Sequence, residues 1–369
     1  MKPAPAALLI LTLAAAAARA RDAGPSATPD DVRQACGEAY RVLCAGTIAY
    51  AAIESGIDVI DFANPERPWR LAHVELKSPA RDLALAGDIL VVADGDAGVV
   101  LIDVSRPEAP SVRGALAGFP ARAVAAAADR AYVGEGSEAA GSDGALHVID
   151  IANPFAPEEL GVSSRLANGA TAVLYEDGYA YVALGAAEHD SIRGVAVIDV
   201  SIPLVPVEVA FVATPEVPHS LAGGGGRLWI ALSRGGEGAL RGLDVTLPVA
   251  PALAGYLPLG YAARSLAVDG ASAYVALGDA GLAEVDLSDP YAPALASVRS
   301  TGRTTCGVGA VGGTVLLGER DFVAPAAVVG AVVGEATAPA VTCVLSRDAL
   351  RGAEAMNADT VPELAKLSR

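Results

Sequence analysis

The sequence is poor in the residues from which metal sites and catalytic centres are usually built. Its four histidines stand at positions 73, 147, 189 and 219, and they form no HExxH motif and no close cluster with cysteine of the kind that binds zinc. Residues 223–226 are four consecutive glycines, but no Lys-Ser/Thr pair follows them to complete a phosphate-binding loop. These absences exclude the enzyme classes that are recognised by motif. A catalytic triad assembled from distant segments would leave no such trace.

Long hydrophobic runs are limited to the N-terminus. Lys2 is followed by an apolar stretch over residues 6–18 and then by Ala18-Arg19-Ala20. A short basic start, an apolar core and a small-x-small site predict a secretory signal peptide over residues 1–20. The apolar stretch is too short for a membrane span, and no cysteine follows it to carry a lipid. We therefore expect an exported protein without a transmembrane segment, located in the periplasm, at the cell surface or outside the cell.

Basic residues are also scarce, because 26 Lys and Arg stand against 43 Asp and Glu, which gives a net charge of −17. Removal of residues 1–20 leaves 24 basic residues and a net charge of −19. This balance disfavours nucleic acid and anionic membrane surfaces as partners. It is typical of an acidic surface that keeps a protein soluble, and we expect a monomer.

The chain is rich, by contrast, in one repeated phrase: an apolar run, an Asp, three residues, a Pro, two residues and a second Pro. The phrase occurs six times, in residues 57–68, 99–110, 146–157, 195–206, 240–251 and 282–293. The successive Asp residues, at positions 61, 103, 150, 199, 244 and 286, lie 42, 47, 49, 45 and 42 residues apart. A repeat of this period, with Pro in every unit, predicts β-propeller blades rather than helical hairpins.

A second motif, which ends in a Tyr-Val-like strand, runs in register with the first and occurs seven times. Its copies are residues 39–53, 80–94, 121–135, 170–184, 218–232, 263–277 and 305–319. Each unit supplies four short strands, A to D from the channel outward, which is the content of one propeller blade. We therefore predict an all-β fold, a seven-bladed β-propeller of four-stranded blades over residues 39–345. Six repeats are clear and one is degenerate, in residues 328–339, where Val332 takes the place of the Asp. Residues 21–38 are a predicted flexible leader and residues 346–369 a polar tail.

The phrase VVLIDVSRPEAP of residues 99–110 and its counterparts resemble the LVIVD repeat, a β-propeller family found in exported and surface proteins of bacteria and archaea. The resemblance covers residues 39–345, because both halves of the repeat recur in phase. The last unit, which lacks the Asp, and Gly242 in the fifth phrase depart from the pattern. The resemblance implies a propeller without enzymatic activity, and it assigns no site residues.

The six repeated Asp residues suggest a ring of carboxylates, but each ends an apolar strand four residues before a Pro. A short carboxylate at that place accepts backbone N–H bonds and sets the turn from strand C to strand D. We therefore predict that these residues cap turns. The paired prolines end strand C and start strand D, where a missing N–H costs little.

One position at the start of strand A has a different character from unit to unit. Alignment of the seven units places there Tyr40, Arg81, Arg122, Thr171, His219, Arg264 and Cys306. If strand A lines the channel, these residues ring its mouth. Because Arg suits bidentate carboxylate or phosphate contacts, one hypothesis is that the first six bind a small anionic ligand. The alternative is that each Arg pairs with a nearby acid and holds blades together, the candidates being Asp82, Asp94, Glu135 and Asp279.

The loops between strands B and C form the other variable element. Residues 135–144, 185–194, 233–238 and 319–326 are longer than the DGDAG loop of residues 94–98. Long loops on one face of a rigid scaffold often carry binding sites. The loop acids at positions 94, 96, 138, 143, 188 and 190 suggest calcium ligands. No stretch has the spacing of a calcium-binding loop, so we expect no cofactor, with calcium as the one alternative.

The four cysteines of an exported protein suggest disulfides, and three pairings are open for Cys36, Cys44, Cys306 and Cys343. Cys306 is predicted on strand A and Cys343 on strand D of one blade, about 14 Å apart at the usual strand spacing of ~4.8 Å, which is too far for a bridge. A Cys36–Cys343 bridge would close the ring. A local Cys36–Cys44 bridge is the rival.

Three functions remain open on this evidence. The first is an exported, non-catalytic propeller that binds an unknown protein or a small anionic ligand as a scaffold module. The second is a propeller hydrolase or lyase with its site at the channel mouth, marked by His219 and Arg264. The third is a calcium-dependent surface adhesin.

Overall fold

The computed structural model describes residues 39–53, 55–64, 68–136, 143–185, 192–301, 304–320 and 342–346. The predicted signal peptide and leader, nearly all of the polar tail and the degenerate phrase of residues 328–339 lie outside these residues. The described chain is all-β, with 27 strands in seven antiparallel sheets. The prediction of an all-β propeller is therefore confirmed.

Each sheet consists of strands that follow one another along the chain and pair with their nearest neighbours in sequence. Six sheets have four strands, and we number them blades 1 to 6. The strands of blades 1 and 2 are β1 (Ala39–Ala45), β2 (Ile48–Ile53), β3 (Gly56–Asp61) and β4 (Trp69–Glu75), followed by β5 (Asp82–Ala86), β6 (Ile89–Ala93), β7 (Val99–Asp103) and β8 (Ser111–Leu116). Those of blades 3 and 4 are β9 (Ala121–Ala127), β10 (Arg130–Glu135), β11 (Leu146–Asp150) and β12 (Glu158–Val162), followed by β13 (Ala170–Glu176), β14 (Tyr179–Leu184), β15 (Gly194–Asp199) and β16 (Val207–Ala213). Blade 5 has β17 (Val217–Gly224), β18 (Arg227–Arg234), β19 (Glu237–Asp244) and β20 (Ala252–Pro258), blade 6 has β21 (Ser265–Asp269), β22 (Ser272–Ala276), β23 (Leu282–Asp286) and β24 (Ala294–Arg299), and the seventh sheet has β25 (Thr304–Val311), β26 (Thr314–Arg320) and β27 (Thr342–Ser346).

The burial of each strand follows its place in the blade. Second and third strands such as Ile89–Ala93 and Val99–Asp103 are buried along almost their whole length, because blades cover both faces of them. Their sequences are accordingly near-continuous runs of Val, Ile, Leu and Ala. The fourth strands, such as Glu158–Val162, are partly exposed and contain charged residues. The core is therefore a set of apolar layers between neighbouring blades.

The first strand of each sheet contacts the first strand of the next sheet in sequence, and β25 contacts β1. The seven sheets thus form a closed ring around a central channel that the first strands line. The seam between the seventh sheet and blade 1 depends on Gly309, because a Cβ there would lie 2.6 Å from the Sγ atom of Cys44. Direct packing of the last sheet on the first therefore closes the ring within the described residues.

The prediction of seven four-stranded blades is wrong for the part of the chain that the structure describes, where six blades are complete and the seventh sheet has three strands. The register explains the error. In blade 3, the repeat residue Asp150 pairs with Arg130, the first residue of the second strand. In the seventh sheet, the first residue of the second strand is Thr314, and it pairs with Ser346 of β27. Ser346, and not Val332, therefore stands in the position of the repeat Asp. Cys343 lies on a third strand rather than on strand D, opposite Leu317.

The repeated Asp residues cap turns, as predicted. In each of the six copies, Oδ1 accepts a hydrogen bond from the backbone N–H two residues later, at 2.8 to 3.1 Å. This bond turns the chain out of the third strand and toward the fourth. The six carboxylates are thus structural elements of six equivalent turns.

The proline turns have a second role that the sequence analysis did not anticipate. Three of these turns pack on the fourth strand of the preceding blade, at a glycine that makes room for them. A Cβ on Gly114 would lie 2.4 Å from the carbonyl oxygen of Pro154, and one on Gly161 would lie 2.4 Å from that of Pro203. At Gly255 the backbone N–H donates to the carbonyl oxygen of Pro290 at 3.0 Å. The repeat phrase therefore joins neighbouring blades as well as two strands of one blade.

Candidate functional site

The aligned residues at the start of the first strands do occupy one structural position. In five sheets the position is a β-bulge, an extra residue on the first strand that the second strand does not pair, as shown by the register shifts around positions 40, 122, 171, 219 and 306. Arg81 and Arg264 immediately precede the first paired residue of β5 and β21, and their N–H groups donate to Ala93 and Ala276. Bulges re-aim a side chain away from the regular pleat. The ring at the channel mouth is therefore built by a repeated irregularity of the backbone.

Two members of this ring make structural hydrogen bonds. The hydroxyl of Thr171 donates to the carbonyl oxygen of Pro218 at 2.7 Å and so links blade 4 to blade 5. His219 places Nε2 at 2.6 Å from the hydroxyl oxygen of Ser233 on the next strand of its own blade. Both side chains are half-buried. Both bonds hold the rim to neighbouring strands, and a role of these two residues in ligand binding stays a prediction.

Arg81 and Arg122 line one cavity between blades 2 and 3, with a volume of about 240 Å³. Its walls include Asp96, Gly136 and the backbone around Pro120. A Cβ on Gly136 would lie 2.8 Å from the carbonyl oxygen of Ala170 and 3.1 Å from Cδ of Arg122, so glycine there makes room for the arginine. The structure therefore brings together two of the three predicted arginines.

The other members of the ring lie elsewhere. Arg264 is exposed and is not among the residues that line this cavity. The sulfur of Cys306 lies 3.9 Å from the carbonyl oxygen of Thr304. The side chain of Tyr40 lies outside the part of the structure that can be described.

The four acids proposed as partners for the arginines also contact other residues, and their pairing with the arginines stays a prediction. Asp82 accepts from Arg41, whose Nε lies 3.1 Å from Oδ1 of Asp82. Glu135 lies 3.5 Å from Nε2 of His147. The remaining two acids, Asp94 and Asp279, contact respectively the N–H of Ser78 and the hydroxyl of Thr304.

A second polar layer lies one residue further along the first strands, inside the channel. Its polar members are Arg41, Asp82, Ser220 and Ser265, while the equivalent places in the other three sheets hold Ala123, Ala172 and Gly307. Arg41 reaches across the channel to the hydroxyl of Ser220 at 3.1 Å and that of Ser265 at 3.5 Å. This layer was not predicted from the sequence, although its residues stand one position after the rim residues in the alignment of the seven units.

Burial controls the electrostatics of this layer. The side chain of Asp82 is 12% exposed, and its burial raises the pKa of the carboxyl group. Arg41 acts against this shift, as do the backbone N–H groups of Val124 and Leu83, each at 3.0 Å from a carboxylate oxygen. Asp82 thereby joins blades 1, 2 and 3 at the channel wall.

The loop acids do not form a metal site in the described residues, which contain no group of three or more His, Cys, Asp or Glu side chains placed to hold a cation. Asp94 is fully buried, and this burial raises the pKa of its carboxyl group. The predicted ligands at positions 138, 188 and 190 lie outside the described chain. The calcium hypothesis stays a prediction.

Two of the cysteines can be placed. Cys44 and Cys306 are free thiols, so the predicted Cys36–Cys44 bridge is not formed. Burial raises the pKa of the Cys44 thiol to about 12. Cys36 and the side chain of Cys343 lie outside what the structure describes, and a bridge between them stays a prediction.

Comparison with known families identifies the repeat. The sequence model of the LVIVD repeat matches residues 79–116, 121–163 and 260–301, which correspond to blades 2, 3 and 6. The chain carries LVIVD repeats. The resemblance found in the sequence is therefore confirmed. No curated protein matches this chain.

Solved structures share the architecture at low sequence identity. The WD40 repeats of RRP9 superpose with a TM-score of 0.60 at 8% identity, covering 84% of this chain and 94% of that one. The computationally designed protein Ika8 gives a TM-score of 0.55 at 12% identity, over 84% and 96% of the two chains. A hypothetical selenium-binding protein from Sulfolobus tokodaii gives 0.58 at 12% identity, over 73% and 82%. At these identities the likeness concerns the fold alone. No helix in the described part of the LVIVD chain is long and apolar enough to cross a membrane.

Proposed function

We propose that this protein is an exported, non-catalytic propeller that binds a small anionic ligand between blades 2 and 3. The observation that carries the proposal is the cavity into which neighbouring blades place Arg81 and Arg122. Two guanidinium groups in a partly enclosed space suit a carboxylate or phosphate group. With a volume of about 240 Å³, the cavity fits a small anion better than a drug-sized molecule.

The cell envelope or the extracellular space is the proposed location. The predicted signal peptide and the known occurrence of LVIVD repeats in exported proteins support it. The acidic composition, with a net charge of −17, supports a soluble monomer.

Thermal melting of the full chain with inorganic phosphate and with succinate tests the anion site. A ligand that binds only the folded state raises the melting temperature, by an amount that grows with its concentration. We expect such a rise, and we expect Arg81→Ala combined with Arg122→Ala to abolish it. Arg264→Ala is the matched control, because it removes the same charge from the equivalent position outside the cavity. A rise that survives in the double variant, or no rise with either anion, would contradict the proposal.

A second candidate, hydrolysis at the channel mouth, is favoured by the contact between His219 and Ser233. A histidine nitrogen 2.6 Å from a serine hydroxyl is the geometry of a base and its nucleophile. Ser233 is half-buried at the end of β18, beside the glycine turn of residues 235–236. If the pair is catalytic, a fluorophosphonate probe labels Ser233 in the wild-type chain and fails to label it in His219→Ala. An unlabelled wild-type chain would refute this candidate.

A further inference from the structure

The central channel contains a cavity that is separate from the Arg81–Arg122 site. Its volume is about 310 Å³, at the lower end of the range for small-molecule sites. The cavity is lined by the first strands of blades 1 to 6 and by Val308 of the seventh sheet. At one level its wall is polar, with Arg41, Asp82, Ser220 and Ser265, and the remaining lining is almost entirely aliphatic.

In the polar level, the serine oxygens and the Asp82 carboxylate accept hydrogen bonds, while the serine hydroxyl hydrogens are left without acceptors. The hydroxyl oxygen of Ser220 accepts from Arg41 and from the N–H of Leu266 at 3.3 Å. That of Ser265 accepts from Arg41 and from the N–H of Val308 at 3.3 Å. Both serines are 2% exposed, and neither hydroxyl hydrogen has an acceptor among the described residues. Asp82 is occupied on both oxygens by Arg41 and backbone N–H groups.

Arg41 adds a third unused donor. Its Nε contacts Asp82 and its Nη1 donates to the two serines, while its Nη2 donates no hydrogen bond within the part of the chain that the structure describes. Two hydroxyl groups and one guanidinium nitrogen thus share one level of the channel as donors, and the carboxylate of this level already accepts from Arg41 and two backbone N–H groups. Such a set recognises an oxygen that carries lone pairs and rejects a donor such as an ammonium group.

The rest of the lining fits an aliphatic chain. Leucine side chains from four different blades line the cavity beside the polar level, namely Leu43, Leu85, Leu174 and Leu221. Burial of methylene groups against such a wall is favourable in proportion to the apolar area removed from water. The combination of three donors and an apolar wall therefore selects an amphiphilic molecule with an acceptor head.

We propose that the central channel binds a short aliphatic monocarboxylate, with its carboxylate at Arg41, Ser220 and Ser265 and its alkyl chain against the leucines. One charge is favoured over two, because the Asp82 carboxylate shares the same guanidinium and repels each further negative charge at this level. A phosphate dianion would be repelled more strongly than a carboxylate in a site with little water. The proposal does not depend on the site between blades 2 and 3, since neither Arg81 nor Arg122 lines this channel cavity.

Calorimetric titration of the full chain with acetate, butyrate and hexanoate tests the proposal, with 1-hexanol and hexylamine as probes of the head group. We expect affinity to rise about fourfold for each added methylene, and hexanoate to bind more tightly than 1-hexanol by about tenfold or more. Hexylamine should not bind. The same affinity for hexanoate and 1-hexanol, or no saturable binding of hexanoate, would overturn the proposal.

Two variants locate the site. Ser220→Ala combined with Ser265→Ala keeps the Arg41–Asp82 ion pair and removes two donors, and we expect it to weaken hexanoate binding about tenfold. Arg41→Met should weaken it further, and because it leaves Asp82 without its partner, circular dichroism must first show that this variant is folded. Arg264→Ala, at the rim, should bind hexanoate like the wild type. Unchanged binding in the serine double variant would place hexanoate elsewhere and refute the channel site.

Discussion

The contact between the blade 4 proline turn and the fourth strand of blade 3 leads to a quantitative prediction at Gly161. A Cβ at this position would lie 2.4 Å from the carbonyl oxygen of Pro203 and 2.8 Å from the carbonyl carbon of Leu204. These atoms belong to the backbone of the blade 4 turn, so no side-chain rotation relieves the clash. The φ angle of Gly161 is not in the positive range, and the substitution Gly161→Ala therefore tests the contact alone.

The magnitude follows from two opposing effects. Forcing an extra methyl group into a packed interface costs about 1–3 kcal/mol. Replacing glycine by alanine also reduces the entropy of the unfolded chain, which stabilises the protein by about 0.4–1 kcal/mol. We therefore expect Gly161→Ala to lower the free energy of unfolding by about 1–2 kcal/mol. For a domain of this size the melting temperature should fall by roughly 2–6 °C.

Differential scanning calorimetry of the wild type, Gly161→Ala and Gly224→Ala measures the effect. Gly224 is the matched control, because it also lies on a strand, has no positive φ angle and has open space where a Cβ would stand. Its variant should melt at the wild-type temperature or slightly above. Gly114→Ala, at the preceding interface, should behave like Gly161→Ala, since its Cβ would lie 2.4 Å from Pro154. If Gly161→Ala melts with the control, blades do not depend on this contact.

Three further predictions concern single groups. Hydrogen bonds from the hydroxyl of Ser105 and from Arg113 hold the pKa of Asp103 at about 2, below the value of this carboxyl group in the unfolded chain. The ionised Asp103 therefore stabilises the folded protein near neutral pH, and this stabilisation disappears as the pH falls from about 4 to about 2. Asp103→Asn should therefore melt lower than wild type at pH 7 and show a shallower loss of melting temperature down to pH 2. The buried Cys44 thiol, with its pKa of about 12, should resist iodoacetamide at pH 8 in the native protein and react after denaturation. Mass spectrometry measures the labelling, and labelling of Cys44 in the native protein would contradict its burial. Thr171→Val should cost about 1 kcal/mol of stability in urea unfolding, because it removes the bond to Pro218, and Thr171→Ser should restore most of the loss.

Local features of the chain were predictable because they repeat. Asp103 and its five counterparts stand before a Pro at one fixed spacing, and a short carboxylate in that setting has one dominant use, the capping of a turn. The same repetition placed Arg81 and Arg122 at one structural position. The prediction at Val332 was wrong because a degenerate unit offers no spacing to follow. Only the pairing of Thr314 with Ser346 shows which residues stand in the register of the repeat phrase.

Contacts between units were decided by the tertiary structure. The sequence by itself determined the propeller, its strand order and its turn chemistry, because each depends on residues within one repeat. The partner of Asp82 was not predictable, since Arg41 comes from the neighbouring blade. Gly161 is likewise required only because the backbone of Pro203 in the next blade packs against it. Packing of neighbouring blades creates the cavity between blades 2 and 3. Closure of the ring brings Arg41 to Ser220 and Ser265 and thereby creates the polar level of the channel.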